Sequence, residues 1–296
     1  MFPDGATPKI DRNHISLLKL IIVKAPSNLN ITLSHLTYKG VQKKAIIPKG
    51  RLEVPDMILK KPTAGLRVKY KLDNNSELYS ALFLPKKWTP KKKLPIIVEF
   101  PGNEFYTNNC YSSGSPEDCT IGYGMSKGNA IWVSLPFVNY KTGKTAPSGW
   151  GNPEDTVDYT LKVVDHIIKK FNGDPNNVFL TGFSRGAIAC GFIGLRNKSI
   201  ANTWKGIHMC QHYDGDGWGG SKLNDAILRL QNLNGTKIFH TDNIKKNKEL
   251  QKMLADQNVD VTSAESDLNT HACAMFLDNR PSTLKLRKWY QDLLKK

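Results

Sequence analysis

The chain has 296 residues, of which 40% are hydrophobic, and its 42 lysine and arginine residues exceed its 26 aspartate and glutamate residues to give a net charge of +16. This composition is that of a globular protein with one large core, and no apolar run approaches the ~18 residues of a membrane-spanning helix. Most of the positive charge lies in residues 1–97, which hold 19 basic residues against 6 acidic ones.

Residues 1–62 are predicted to be a basic, weakly patterned N-terminal extension with strands at 15–23 and 31–36. Prolines interrupt any long helix in this region. The first residues, MFPDGATPKIDRNH, lack the basic and apolar segments of a signal peptide. We therefore expect a secreted or periplasmic location only if a leader has been removed.

Lysine clusters mark the basic third of the chain, at Lys60-Lys61, Lys86-Lys87 and Lys91-Lys92-Lys93. Such clusters attract an anionic polymer, for example an acidic polysaccharide, or simply keep a protein soluble. Arginine is scarce among them and no aromatic side chain alternates with the lysines, so a platform for stacking nucleic-acid bases is not expected. An anionic polymer is thus the one partner that these clusters indicate.

The main domain is predicted over residues 63–296, because strand and helix patterns alternate there. It begins with an antiparallel pair of strands at 66–72 and 78–84 and contains a long polar excursion at 104–128. Further strands are expected at 95–100, 130–135, 178–180, 206–212, 236–240 and 259–261, and helices at 154–171, 243–255 and 281–294. This alternation predicts an α/β fold, a mostly parallel central sheet with helices on both faces.

The strongest chemical signal is the sequence Gly182-Phe183-Ser184-Arg185-Gly186, which lies between a predicted strand and a small-residue helix. In this G-x-S-x-G arrangement the serine stands on a strained strand-to-helix turn with its hydroxyl exposed, and the glycines let strand and helix approach closely. We predict that Ser184 is a nucleophile. The alternative is a glycine-rich turn with an ordinary helix-capping serine.

A serine hydroxyl becomes a good nucleophile only when a base takes its proton. His271 is the predicted base, because it follows the last predicted strand and precedes the C-terminal helix, and no histidine lies beyond it. His212 and His240 compete for this role. Each lies at the end of a predicted core strand, where a structural role is the simpler interpretation.

A carboxylate normally orients such a base. Asp242 is the favoured candidate, because it occupies the loop after the strand 236–240. Asp214 follows the preceding strand and is the main alternative, although Asp-Gly pairs at 214–217 also suit a simple turn. Asp216 and Asp267 are less favoured candidates.

Backbone N–H groups are expected to stabilise the oxyanion. The predicted donors are the amide of Arg185 and one amide from the loop after Phe100, that of Gly102, Asn103 or Glu104. The Arg185 side chain has two candidate roles: it pairs with a substrate carboxylate, or it braces the turn through a salt bridge to a nearby acid.

A metal site is not predicted. His208, Cys210 and His212 alternate along one strand and share a face, but consecutive residues of one strand face lie ~6–7 Å apart, too far to bind one small ion together. Serine hydrolysis needs no cofactor, and none is expected. Among the cysteines, Cys110 and Cys119 bracket a polar loop and would form a local disulfide in an exported protein. The remaining three fit buried thiols: Cys190, Cys210 and Cys273.

With strand, serine turn, acid and histidine in this order, residues 63–296 resemble the α/β-hydrolases. Within that superfamily the chain is similar to carbohydrate- and polyester-directed esterases, namely feruloyl esterases, acetylxylan esterases and polyhydroxybutyrate depolymerases. The pair Ser184-Arg185 also resembles glucuronoyl esterases, in which arginine follows the nucleophile. Two positions depart from these patterns: Pro101 stands where histidine is common, and Phe183 stands where glucuronoyl esterases have cysteine.

The resemblance implies a serine esterase acting on carboxylic esters that are linked to carbohydrate. Trp150, Tyr213 and Trp218 follow predicted strands and would stack on sugar rings, or pack at the rim of the site. Two alternatives stay open. One is a peptidase of the same fold, and the other is a non-catalytic relative that binds an anionic polymer through its basic N-terminal third.

Overall fold

The computed structural model describes residues 51–73, 76–106, 111–241, 248–266, 271 and 276–295. Contacts within the chain separate residues 1–47 from residues 48–296, and the described residues belong to the second unit. The strands predicted at 15–23 and 31–36 lie outside the described residues. None of the described helices has the length and apolar character needed to cross a membrane.

The strands of the described residues form one large sheet and two small hairpins. In chain order they are β1 (Met57–Ile58), β2 (Arg67–Tyr70), β3 (Ser80–Phe83), β4 (Leu94–Phe100), β5 (Glu104–Tyr106), β6 (Tyr111–Ser113), β7 (Ile131–Ser134), β8 (Val138–Asn139), β9 (Lys144–Thr145), β10 (Gly173–Phe183), β11 (Gly206–Cys210), β12 (Lys237–Thr241) and β13 (Val261–Ala264). Nine of them make the sheet in the order β1-β2-β3-β7-β4-β10-β11-β12-β13. Only β3 pairs antiparallel with its neighbours, β2 and β7.

The described helices are α1 (Ile121–Ser126), α2 (Pro153–Phe171), α3 (Arg185–Phe192), α4 (Lys198–Ala201), α5 (Leu223–Leu230), α6 (Lys248–Asp256) and α7 (Pro281–Leu294). Local sequence explains the bounds of α2. The Asn152 side chain caps its start by accepting from the amides of Glu154 and Asp155, Pro153 fits the first turn, and Asn172 ends the helix with φ 56°.

The sheet has a hydrophobic layer on each face. Ile96 and Val98 pack in one cluster of buried side chains, and Ile97 packs in the other. This alternation is what a strand covered on both faces requires. It explains why the central strands read as nearly continuous apolar runs.

The predicted α/β architecture is confirmed. The antiparallel pair of β2 and β3 and the helix Pro281–Leu294 lie where the sequence places them. Three described helices, α1, α4 and α5, were not predicted. The short strand predicted at 259–261 lies later, at Val261–Ala264. Met57–Ile58 pairs with β2 although it falls within the predicted extension 1–62, and the domain boundary itself stays a prediction.

Register brings four strand ends together at one edge of the sheet. Phe100 of β4 pairs with Gly182 of β10, Phe183 pairs with Cys210 of β11, and Cys210 pairs with Thr241 of β12. Because these strands run parallel, the loops that follow them leave the sheet at the same edge. Ligand sites of open α/β sheets lie outside such carboxyl ends.

Candidate active site

Ser184 lies at the turn between β10 and α3, where the sequence predicted it. Its backbone has φ 56° and ψ −120°, a conformation that a non-glycine residue rarely adopts. The amide of Ser184 donates to the carbonyl oxygen of Cys210 at 3.1 Å, which ties the turn to β11. The serine is half-buried rather than sealed in the core. Its position and strained backbone are those that the predicted nucleophile elbow requires.

The two glycines of the motif are required by close backbone contacts. A Cβ atom on Gly182 would lie 2.2 Å from the carbonyl oxygen of Gly186. A Cβ atom on Gly186 would lie 2.1 Å from the carbonyl oxygen of Phe100. Any larger residue at either position would therefore force the backbone of strand and helix apart.

His271 contacts the residue that precedes the serine. Its ring centroid lies 4.5 Å from that of Phe183, and 5.4 Å from that of His212 in an edge-to-face arrangement of 86°. His271 is half-buried. The predicted base thus packs at the elbow, although a long stretch of chain separates it from the serine.

Asp214 is engaged elsewhere. Its carboxylate accepts from Arg229 at 2.6 and 2.7 Å and from the Ser221 hydroxyl at 2.7 Å. Burial raises the pKa of this carboxyl, and the bonds from Arg229 and Ser221 oppose the rise. With both oxygens occupied by these partners, Asp214 is a structural anchor between the loop after β11 and α5. It does not serve as the orienting acid of His271 in this arrangement.

The favoured acid, Asp242, lies outside the described residues, as does Asp267, and its role stays a prediction. Asp216 is described. Its Oδ2 accepts from Nδ1 of His212 at 2.6 Å, and its Oδ1 accepts from the amide of Trp218 at 3.0 Å. Sequence reasoning assigned His212 to a core strand and missed this pair, because β11 ends two residues earlier, at Cys210.

The Arg185 side chain takes neither of the two roles that the sequence left open. It is 1% exposed and donates to four carbonyl oxygens, those of Gly102 at 2.8 Å, Gly114 at 3.0 Å, Ala146 at 3.0 Å and Gly149 at 2.8 Å. Its guanidinium also lies 4.1 Å from the centre of the Phe137 ring. Burial lowers the pKa of Arg185, while four carbonyl acceptors favour its charged form. Arg185 therefore braces the loops around the serine and is not exposed to a substrate.

The brace also orients the predicted oxyanion loop. Arg185 holds the carbonyl oxygen of Gly102, and in a trans peptide the N–H of the next residue, Asn103, points the opposite way. Asn103 accepts from the amide of Gly149 at 3.1 Å through its side chain. A Cβ atom on Gly102 would lie 3.2 Å from the Phe183 ring. The loop after β4 is thus fixed against the elbow from two sides.

Two of the three predicted aromatic contacts lie at the surface of this region. Trp150 stacks on Phe192 with ring centroids 4.6 Å apart and meets Trp218 edge to face at 5.2 Å. Trp218 is 37% exposed. Tyr213, in contrast, is buried in the hydrophobic core, so its ring has no open face for a sugar and the predicted stacking role is corrected.

The alternating residues His208 and Cys210 of β11 are buried in the core. His208 is fully buried and bonds the hydroxyls of Thr181 at 2.8 Å and Thr241 at 2.9 Å. Burial, with His240 nearby, lowers the pKa of His208 to about 3. Across the part of the chain that the structure describes, no group of three potential ligands is placed to hold a metal ion.

The cysteines that the structure describes are buried. Cys119 and Cys190 carry free thiols, so Cys119 is not joined to Cys110 by the disulfide considered above. Burial raises the pKa of both thiols, which keeps them protonated and unreactive. Cys210 is likewise buried at the end of β11. Cys110 and Cys273 lie outside the described residues.

No family model matches the chain. Among solved structures, it is similar to an esterase of the fungus Rhizomucor miehei (16% identity, 75% of this chain and 81% of that chain, TM-score 0.51) and to an arylesterase (16% identity, 80% and 87%, TM-score 0.51). An isopeptidase also matches (13% identity, TM-score 0.54), and there 78% of this chain covers 40% of a longer protein. At such identities a likeness concerns the fold alone. The chain has an α/β-hydrolase fold.

Proposed function

We propose that the protein is a serine esterase that cleaves carboxylic esters through an acyl-enzyme. The supporting observation is the strained backbone of Ser184, at φ 56°, on a strand-to-helix turn against which His271 packs through Phe183. Strain of this kind at a half-buried polar residue is typical of functional sites, because folding alone does not favour it. The esterase-like fold supports the same reaction class.

In the proposed mechanism, Ser184 attacks the ester carbonyl while His271 accepts the hydroxyl proton. Asp242 orients His271. The tetrahedral oxyanion is stabilised by the amide of Arg185, which as the first residue of α3 has no partner within the helix, and by the amide of Asn103 or Gly102. His271 then protonates the leaving alcohol. A water molecule, activated by the same imidazole, releases the acid and restores Ser184.

Trp150 and Trp218 are the proposed contacts for the rest of the substrate. Their partly exposed rings form a rim that joins the loop before α2 to the loop after β11. Indole faces bind the C–H faces of sugar rings well, so an ester linked to carbohydrate is the proposed substrate.

Labelling by a fluorophosphonate probe tests the nucleophile. We expect covalent labelling of the full chain, lost in Ser184→Ala and retained in the matched control Ser199→Ala, which removes an exposed serine of α4. His271→Gln should lower the labelling rate by about 10³-fold or more, since the base and nucleophile act as a unit. Folded protein that resists labelling would reject the esterase and support the non-catalytic alternative.

A panel of esters and peptides of matched size separates the esterase from the peptidase alternative. The solved isopeptidase has the same fold, so the fold does not decide between them. We expect turnover of acetyl esters with no cleavage of peptides. Faster cleavage of the peptides would replace the proposed esterase with a peptidase.

A further inference from the structure

His212 and Asp216 form an oriented pair outside the predicted triad. Nδ1 of His212 lies 2.6 Å from Oδ2 of Asp216. An ionised carboxylate only accepts, so the imidazole donates through Nδ1, which leaves Nε2 available as the second ring nitrogen. The Asp216 side chain is 14% exposed and is fixed by the amide of Trp218, whereas the His212 side chain is 36% exposed. Asp216 therefore fixes the orientation of the His212 imidazole, which stays partly exposed to solvent.

The pair lies at the candidate active site. The His212 ring meets that of His271 edge to face, 5.4 Å between centroids. Two residues before His212, the carbonyl of Cys210 accepts from the amide of Ser184. The intervening Gln211 has φ 65°, a rare conformation for a residue with a side chain. Such strain next to a nucleophile elbow indicates that the turn serves the site rather than the fold.

The same pair reaches the aromatic rim. Asp216 holds the amide of Trp218, the carbonyl of Gly219 accepts from the Trp150 indole at 2.8 Å, and the two indoles touch at 5.2 Å. His212 is therefore linked to the predicted base by a ring contact and, through Asp216, to the Trp218–Trp150 rim. A substrate that extends from Ser184 to this rim would approach His212.

We propose that His212, held by Asp216, is a specificity-determining residue whose Nε2 accepts a hydrogen bond from a hydroxyl of the alcohol part of the ester. This assignment rests on the proposed esterase function. A site that bonds a substrate hydroxyl discriminates against an analogue that lacks it, because the bound analogue excludes water from the imidazole nitrogen and leaves it unpaired. The selected substrates are esters of ring compounds that carry a hydroxyl near the scissile bond.

The test compares two acetyl esters, a methyl mono-O-acetyl-xylopyranoside and cyclohexyl acetate, whose ring has no hydroxyl. His212→Phe keeps a planar ring against His271 and removes both nitrogens. We expect kcat/KM for the xylopyranoside to fall about 10- to 100-fold, and that for cyclohexyl acetate to fall less than about threefold. Asp216→Asn should give the same selectivity change at smaller size, since it loosens the orientation of the imidazole. The control His166→Phe alters an imidazole of α2 that bonds Tyr70, and should change neither value.

Fluorophosphonate labelling of each protein keeps the two proposals distinct. Unlabelled wild-type protein would overturn the esterase and this assignment together. A labelled wild type that does not prefer the xylopyranoside would overturn the assignment alone. The same conclusion follows if both rate constants fall by the same factor in His212→Phe and Asp216→Asn, or if neither changes.

Discussion

Two buried charges of opposite sign organise two regions of this molecule. Glu99, near the end of β4, is 2% exposed and accepts from the amides of Thr120, Ile121 and Gly122 and from the Trp132 indole, at 2.8 to 3.1 Å. Arg185, at the start of α3, donates to four carbonyl oxygens. Neither charge has a salt-bridge partner within 4.0 Å among the described residues. Main-chain dipoles stabilise both charges instead, and at Glu99 the Trp132 indole and the charge of Arg67 add to them.

The two charges differ in the segments of chain whose main-chain groups they bond. The amides around Glu99 belong to the beginning of α1 and fix that helix to the sheet. The carbonyls around Arg185 belong to loops that surround Ser184, among them the loop of Gly102 and Asn103. The first region therefore supports the fold and the second also supports the site. Substitutions at the two charges should separate these contributions.

The largest effect is expected for Arg185→Met, which removes the charge at similar volume. Four carbonyls lose their donor, two of them in buried bonds and two in part-buried ones, and an unsatisfied buried group costs about 1–3 kcal/mol. We expect a loss of stability of roughly 3–5 kcal/mol, as for a buried charge network that loses one member. Urea unfolding measures the loss. A change below about 1 kcal/mol would contradict the role of Arg185 as a brace.

Arg185→Lys tests the site itself, because it keeps the charge but not the planar fork of five donors. Lysine reaches fewer of the four carbonyls, so the loop of Gly102 and Asn103 loses its fixed orientation. Esterase kcat should fall about 10²- to 10³-fold, the effect of losing one oxyanion donor, with KM changed little. Folded Arg185→Lys protein with wild-type kcat would show that the brace does not orient this loop.

Glu99→Gln is expected to have a smaller effect that is confined to stability. Burial raises the pKa of Glu99, and the bonds from Gly122, Ile121 and Trp132 and the charge of Arg67 oppose the rise. The amide keeps one acceptor oxygen but turns an NH₂ group toward N–H donors. We expect a loss of about 1–3 kcal/mol in urea unfolding, with kcat within about twofold of wild type. A loss of kcat comparable to that in Arg185→Lys would contradict the conclusion that the region around Glu99 supports the fold but not the site.

These two residues also mark the limit of sequence-based prediction. The alternation of apolar runs and amphipathic segments predicts the sheet, and G-x-S-x-G places Ser184, since both signals are local. The partners of Arg185 are not local: its acceptors lie 36 to 83 residues away along the chain and are main-chain atoms. Every residue has a main-chain carbonyl, so the identity of a side chain does not show which carbonyls Arg185 will bond. The sequence therefore indicates that an arginine after the serine is unusual, but it does not indicate the role of that arginine.

Other differences have separate physical causes. The helix α5 has apolar residues at the helical spacing of Leu223, Ala226 and Leu230, so its signal was present and was missed. Asp214 and Asp216 both follow β11, and sequence position cannot tell which is buried against Arg229 and which meets His212. Turn geometry decides that, with Gly215 at φ 107° between them.

His208 is a further buried titratable group, one that is satisfied while neutral. Its pKa is lowered to about 3 by burial and by His240, whereas an unfolded histidine titrates near 6.5. Between these values the unfolded chain binds a proton that the native state does not. Stability is therefore fully present above about pH 6.5 and falls by about 1.4 kcal/mol per pH unit as the pH drops toward 3.

His208→Gln should remove this contribution, because glutamine can bond Thr181 or Thr241 without titrating. The variant loses stability at neutral pH. Between pH 4 and 6, its free energy of unfolding should change less steeply with pH than that of the wild type, by the contribution of about one proton. Urea unfolding at several pH values gives this slope. An unchanged slope would mean that the native state protonates His208 above pH 4.

The exposed lysines should give the smallest effect on the fold and complete the comparison with the buried charges. Lys91, Lys92 and Lys93 are exposed, and water already solvates their charges. Their replacement by glutamine should leave the unfolding midpoint nearly unchanged, yet lower the salt concentration that elutes the protein from an immobilised acidic polysaccharide. The matched control replaces Lys162, Lys169 and Lys288, each paired with an aspartate one turn away, for the same change in net charge. If both variants elute at equally lowered salt concentrations, retention depends on net charge alone. If only the variant at Lys91, Lys92 and Lys93 elutes earlier, these lysines form a surface that binds an anionic polymer.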